Sequence, residues 1–179
     1  DATMEPGGTS HFVIIDSRGN AVSMTTTIES YFGNGRMVAG FFLNNQLTDF
    51  SFLPDGPNSI APGKRPRSSM APVLILDRHG VLVGAVGSPG GNAIPAYVAK
   101  TLVGVLDWRL PMQAAIDLPN LVARGVQWNG EASRFPAGVL EGLEARGITV
   151  RAGSGEDSGI HGVLWRDGRW DGGADSRRE

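Results

Sequence analysis

Apolar and polar residues alternate along this chain in short paired runs, the period expected of half-buried β-strands joined by tight turns. Residues 11–15 and 21–27 flank the turn sequence Asp16-Ser17-Arg18-Gly19-Asn20 and predict a first hairpin. Thr9 then leads one strand, and Thr27, ending the other, lies beside it. A second hairpin is predicted from the apolar run at 73–76, the turn Asp77-Arg78-His79-Gly80 and the returning run at 81–86. Its outer ends carry Ser68-Ser69 on one side and Gly87-Ser88-Pro89-Gly90-Gly91 on the other, so serines and glycines become neighbours in an antiparallel pair. Residues 41–43 read as a short apolar strand, 44–49 as a polar turn, and 51–66, with four prolines, as a surface loop. The region 163–165 and the surroundings of Trp170 predict a closing strand pair.

The strongest helical signal begins directly after the glycine pair, where Ile94, Val98, Leu102, Val105 and Leu106 recur at helical spacing. Pro95 falls in the first turn, where it is tolerated. Two shorter helices are predicted, one opened by Pro111 over 112–116 and one over 137–146 stopped by Gly147. Hairpins with a few flanking helices suggest half of a four-layer α/β sandwich. The fold class is thus mixed α/β (α+β), with mainly antiparallel sheet.

Composition narrows the options. With 179 residues, 41% hydrophobic content and a net charge of −2, the chain has the size and balance of about one globular domain. No basic stripe invites nucleic acid, and no apolar run approaches the roughly eighteen residues of a membrane helix. Zero cysteines excludes disulfides and thiolate metal sites, and requires that any nucleophile carry oxygen. His11, His79 and His161 lack metal-ligand spacing, so no metal is expected. Tyr31, Trp108 and the other aromatics read as core or rim packing.

Three pieces carry candidate chemistry. Paired hydroxyls at Ser68 and Ser69 can hold a carboxylate, although serines there can equally cap or turn the chain. Gly90 and Gly91, without Cβ atoms, can aim backbone N–H groups at a developing oxyanion, and a helix N-terminus reinforces the effect; alone they also read as a turn. Thr9 follows Gly7-Gly8. A threonine hydroxyl is a weak nucleophile unless a base adjoins it, and a chain that begins at threonine supplies its own α-amine. That amine titrates near 8, so it can accept the hydroxyl proton around neutral pH. It is free only once the Gly8-Thr9 bond is cut.

Taken together, Thr9-Ser10-His11, DSRGNAVSMTTTIE (16–29), FFLNNQLTDFS (41–51), KRPRSSMAP (64–72), GSPGG (87–91) and GGADSRRE (172–179) resemble the small catalytic subunit of the γ-glutamyltranspeptidase family, N-terminal-nucleophile hydrolases that cleave their own precursor. The match runs almost end to end. The resemblance implies an αββα four-layer sandwich shared with a large subunit, with residues 1–8 the remnant of that preceding part and 9–179 the small subunit. It implies no cofactor, a γ-glutamyl substrate such as glutathione, and water or an amine as acceptor. It also suggests a periplasmic or secreted setting.

Residue by residue, Thr9 matches the family's nucleophile, Thr27 its supporting hydroxyl, and Gly90 and Gly91 its oxyanion-hole glycines. Ser68 and Ser69 match the pair that binds the substrate α-carboxylate, helped by an arginine on the large subunit. Gln46 and Asp49 match residues that hold the α-ammonium; by itself Asp49 reads as a turn residue. Two departures bear on substrate choice. Glu29 stands where the family usually has asparagine, and the loop before Lys64 is shorter than the lid-bearing loop of many relatives. Two other readings therefore accompany a γ-glutamyl hydrolase or transferase. One is a related acylase of glutaryl, cephalosporin or poly-γ-glutamate type; the other is an uncleaved, non-catalytic subunit.

Overall fold

The computed structural model describes residues 8–153 and 156–178, so of the expected precursor segment at 1–8 only Gly8 lies within the described residues. Strands β1 (Thr9–Ile15) and β2 (Ala21–Thr27) form the first hairpin, with Thr9 opposite Thr27 in register. Its turn is closed by Asp16, whose carboxylate accepts from the Arg18 and Asn20 N–H groups at 2.8 and 2.9 Å. A small flap of β3 (Met37–Val38) and β4 (Phe41–Phe42) follows, then a 3₁₀ turn at Gln46–Asp49.

β5 (Val73–Leu76) and β6 (Leu82–Gly87) make the second hairpin. β6 also pairs with β10 (His161–Arg166), which pairs with β11 (Arg169–Ala174), giving an antiparallel sheet ordered β11-β10-β6-β5. Between them lie α1 (Ile94–Leu106) and α2 (Met112–Asp117), which cover one face of that sheet. The core sits there, built from Val86, Ile94, Tyr97, Met112, Ile116 and Ile160, all fully buried. Side chains alternate across a strand, so the opposite face is set by the neighbouring positions. Gly162 faces Met112 of α2, whereas Gly87 faces the His11 ring, where a Cβ would fall 2.2 Å from Cε1. The β1–β2 hairpin packs on that second face. The layers run helix, sheet, sheet, and the outer face of the hairpin leaves Phe12, Ile14, Val22 and Met24 exposed.

One region holds strands that the sequence reading did not assign. Residues 121–152 hold β7 (Leu121–Arg124), β8 (Gln127–Gly130) and β9 (Val150–Ala152), with α3 (Val139–Glu144) carrying the parallel crossover from β8 to β9. Strands this short, with polar residues such as Gln127 and Asn129, give too little alternation to register as strands. Tyr31 and Trp108 are exposed, and the aromatic rings that are buried belong to Tyr97 and Phe50. Among the described residues, no helix is long and apolar enough to cross a membrane.

Candidate active site

The two threonine hydroxyls meet because register puts them opposite each other at the open end of the first hairpin. Thr9 Oγ1 lies 3.2 Å from Thr27 Oγ1, and Thr27 Oγ1 accepts the Glu29 N–H at 2.8 Å. With one lone pair taken by that N–H, Thr27 keeps a proton and a lone pair with which to orient the Thr9 hydroxyl. Glu29 adopts φ +77, a left-handed conformation rare for a residue with a side chain, and is 7% exposed. Gly8 packs on the same backbone: a Cβ there would lie 2.2 Å from the Glu29 carbonyl oxygen, so only glycine fits before Thr9.

Asp49 closes the 3₁₀ turn and is 4% exposed. Gln46 Nε2 donates to its Oδ2, and Asn58 Nδ2 donates to its backbone carbonyl at 2.6 Å. Its Oδ1 is buried with no hydrogen-bond partner among the described residues. Burial raises the Asp49 pKa, opposed by the Gln46 hydrogen bond and the charge of Arg67. A carboxylate oxygen in that position favours a cationic donor entering from the pocket. The Thr48 hydroxyl lies 3.4 Å from Glu29 Oε1, tying the second carboxylate to the same turn.

The second hairpin delivers the remaining pieces. Ser68 Oγ accepts the Met70 N–H at 3.2 Å, and Ser69 Oγ lies 3.4 Å from Asn92 Oδ1. Gly90 and Gly91 take φ +131 and +51, and a short 3₁₀ turn, Gly91–Ala93, separates the pair from α1. Gly90 backs onto Tyr97: a Cβ at 90 would lie 2.6 Å from Tyr97 Cε2. Thr9, Thr27, Glu29, Gln46, Asp49, Ser68, Ser69 and Gly91 all line one small open pocket, with Met70 and Ile94 as its apolar wall; Gly90, the residue before Gly91, is not among the residues that line it.

Contacts between distant segments, invisible to local pattern, complete the site. Arg178 Nη1 donates to the Thr9 carbonyl at 3.2 Å, while its Nε donates to the Asp157 carbonyl at 2.9 Å and its Nη2 to Glu156 Oε1 at 2.5 Å. Its neighbour Arg177 is anchored by Glu131 at 2.7 and 2.8 Å and by the buried Asp175 at 2.9 Å. Burial alone would raise the Glu131 pKa, but hydrogen bonds from Arg177 and the Asn120 N–H bring it down to about 2. Burial and, after it, the charge of His161 lower the His11 pKa to about 4. Among the described residues, no group of three or more His, Asp or Glu side chains could hold a metal.

This two-sheet arrangement is also that of solved structures. A γ-glutamyltranspeptidase from Pseudomonas nitroreducens in complex with L-DON matches with a TM-score of 0.82 and 30% identity, over 94% of this chain and 95% of that one. A cephalosporin acylase from Bacillus halodurans matches with a TM-score of 0.81 and 26% identity, over 93% of this chain and 32% of that one. The fold is therefore that of the N-terminal-nucleophile transpeptidases and acylases. Within that class the chain belongs to the γ-glutamyltranspeptidase family, whose profile matches residues 1–179. The glutathione hydrolase proenzyme of Bacillus subtilis (strain 168) is 41% identical over 144 residues, 79% of this chain and 24% of the relative. The chain thus spans between about a quarter and a third of the length of such curated relatives.

Proposed function

We propose that this chain is the catalytic part of an autoprocessed γ-glutamyl hydrolase or transferase acting on γ-glutamyl amides such as glutathione, with Thr9 as nucleophile. The observation that carries the reading is the convergence, in one pocket, of the Thr9–Thr27 hydroxyl pair, the Gly91 turn and the two buried carboxylates. On this reading residues 1–8 end the preceding large subunit and residues 9–179 are the small subunit, the two held as a heterodimer. The exposed apolar face of the β1–β2 hairpin suits burial by that larger part. The proenzyme name of the Bacillus subtilis relative supports cleavage.

Cutting Gly8-Thr9 frees the Thr9 α-amine, which takes the Thr9 hydroxyl proton as Oγ1 attacks the γ-carbonyl carbon. Negative charge gathers on the carbonyl oxygen, where the N–H groups of Gly90 and Gly91 receive it; one such donor contributes about 3–4 kcal/mol at the transition state. The protonated amine then gives its proton to the departing amine, leaving an ester on Thr9. Water or an acceptor amine attacks that ester and releases glutamate or a new γ-glutamyl amide. Ser68 and Ser69 hold the substrate α-carboxylate, while Gln46, Asp49 and Glu29 hold its α-ammonium. No step calls for a metal or cofactor.

The likeness to a cephalosporin acylase favours one second reading, the same Thr9 chemistry on an acyl group without the α-amine. Maturation tests the shared core. The protein, expressed in full-length form and incubated alone, should separate into two chains meeting at Gly8-Thr9 by intact mass, and Thr9→Ala should remain one chain. Processing of Thr9→Ala at the same bond overturns the nucleophile; an uncut, inactive wild type favours a structural subunit.

A further inference from the structure

Ser68 and Ser69 are adjacent, yet their hydroxyls stand in different situations. Each has a single proton to give. Ser68 Oγ receives the Met70 N–H at 3.2 Å, so an N–H fills one of its lone pairs and its own proton stays available to a ligand. Ser69 Oγ faces Asn92 Oδ1 at 3.4 Å, an acceptor, so in that state its proton points at Asn92. A Ser69 engaged in that way has nothing left to donate to a carboxylate.

Asn92 can reverse this. It sits in the 3₁₀ turn directly after Gly91, at the junction between the serine pair and the glycine pair. The two ends of its amide are almost equal in size, one accepting and one donating. A half-turn about the terminal torsion replaces Oδ1 by Nδ2–H, which then donates to Ser69 Oγ and releases the Ser69 proton toward the pocket. A chain of donors running Asn92 to Ser69 to anion strengthens each link. Resting on the proposed function above, we infer that Asn92 is a positioning residue for α-carboxylate recognition: its amide decides whether Ser69 donates to the protein or to the substrate.

Aspartate is the informative replacement, because it keeps the shape but only accepts. It locks the Ser69 proton onto itself and sets a negative charge beside the substrate's own. In the matured full-length protein, the Asn92→Asp variant should raise KM for a γ-glutamyl anilide about 30-fold and the inhibition constant of free L-glutamate equally, with kcat within about threefold. Inhibition by 4-aminobutyrate, which has the same chain and amine without the α-carboxylate, should be unchanged. Asn92→Ser, whose hydroxyl both donates and accepts, should recover most of the loss. Should Asn92→Asp fail to mature, Asn92→Ala carries the test, with about a fivefold KM increase confined to the carboxylate-bearing ligands. Equal losses with L-glutamate and 4-aminobutyrate, or a change in kcat alone, overturn the role of Asn92. A wild type that turns over no γ-glutamyl anilide overturns the parent reading instead.

Discussion

Thr27→Val separates the chemistry of the threonine pair from its packing. Valine matches threonine in shape and in β-branching, so β2 and its register with β1 should persist. What disappears is one hydroxyl oxygen accepting two hydrogen bonds, from the Thr9 hydroxyl at 3.2 Å and from the Glu29 N–H at 2.8 Å. Two ordinary hydrogen bonds at a half-buried position account for about 1–2 kcal/mol of stability, a fall in melting temperature of roughly 2–8 °C for a chain of this size. The effect on rate should be larger. Without Thr27 the Thr9 hydroxyl is free to rotate away from the attacking geometry, and kcat should fall about 30- to 300-fold, equivalent to about 2–3.4 kcal/mol. KM, which the proposed function assigns to Asp49, Glu29 and the serines, should stay within about threefold. The assay is steady-state release of an anilide by matured enzyme, with Thr27→Ser as the control that restores the hydroxyl to within about tenfold of wild type. A Thr27→Val enzyme that keeps more than about a third of wild-type kcat refutes the orienting role.

Gly90→Ala should lower kcat at least about 100-fold with little change in KM, because φ +131 and a Cβ 2.6 Å from Tyr97 Cε2 force the turn proposed to hold the oxyanion to move; Tyr97 cannot yield, being fully buried with its hydroxyl bonded to the Glu156 carbonyl at 2.7 Å. Glu29→Gln should raise KM for a γ-glutamyl anilide by about 5- to 150-fold while leaving a glutaryl anilide, which has no amine, unaffected or better bound; a wild type that prefers the glutaryl compound moves the assignment to the acylase reading. His11 provides a pH signature. Burial, with the nearby His161, lowers its pKa to about 4, so the unfolded chain binds the extra proton between pH 6.5 and about 4 and stability falls as pH drops through that window. The whole difference corresponds to about 3 kcal/mol, and His11→Gln should flatten that part of a denaturation-versus-pH curve; an unchanged slope removes His11 as the cause.

The hairpins were readable because local signals determine them: alternation, the Asp16 and Asp77 turns, and register once a turn is closed. Register alone then places Thr9 opposite Thr27 and brings the second hairpin's serines near its glycines. The helix after Gly91 was equally readable from its spacing. What escaped depends on partners distant in the chain. Arg178 and Thr9 are 169 positions apart, and no local pattern links them. Asn92 has no periodic role and acquires meaning only when Ser69 comes within 3.4 Å. Tyr97 reads as one more apolar face residue until Gly90 is seen resting on its ring. The short strands β7, β8 and β9 are held by pairing and by the crossover through α3, and their own composition says little. The layer order also needed structure, since the more apolar face of the hairpin that carries Thr9, with Phe12, Ile14, Val22 and Met24, is the exposed one, and only packing shows that the face with His11 meets the main sheet.

The most direct test is to catch the acyl group on Thr9. Matured full-length protein is mixed with a γ-glutamyl anilide, quenched within a single turnover, and the small chain is measured by intact mass and then by tandem mass spectrometry of its N-terminal peptide. The account predicts a small chain beginning at Thr9 and heavier by one γ-glutamyl group, carried on the Thr9 side chain and absent from Thr27→Val enzyme at the same time point. Anilide release with no adduct at any quench time, or an adduct on another residue, contradicts it.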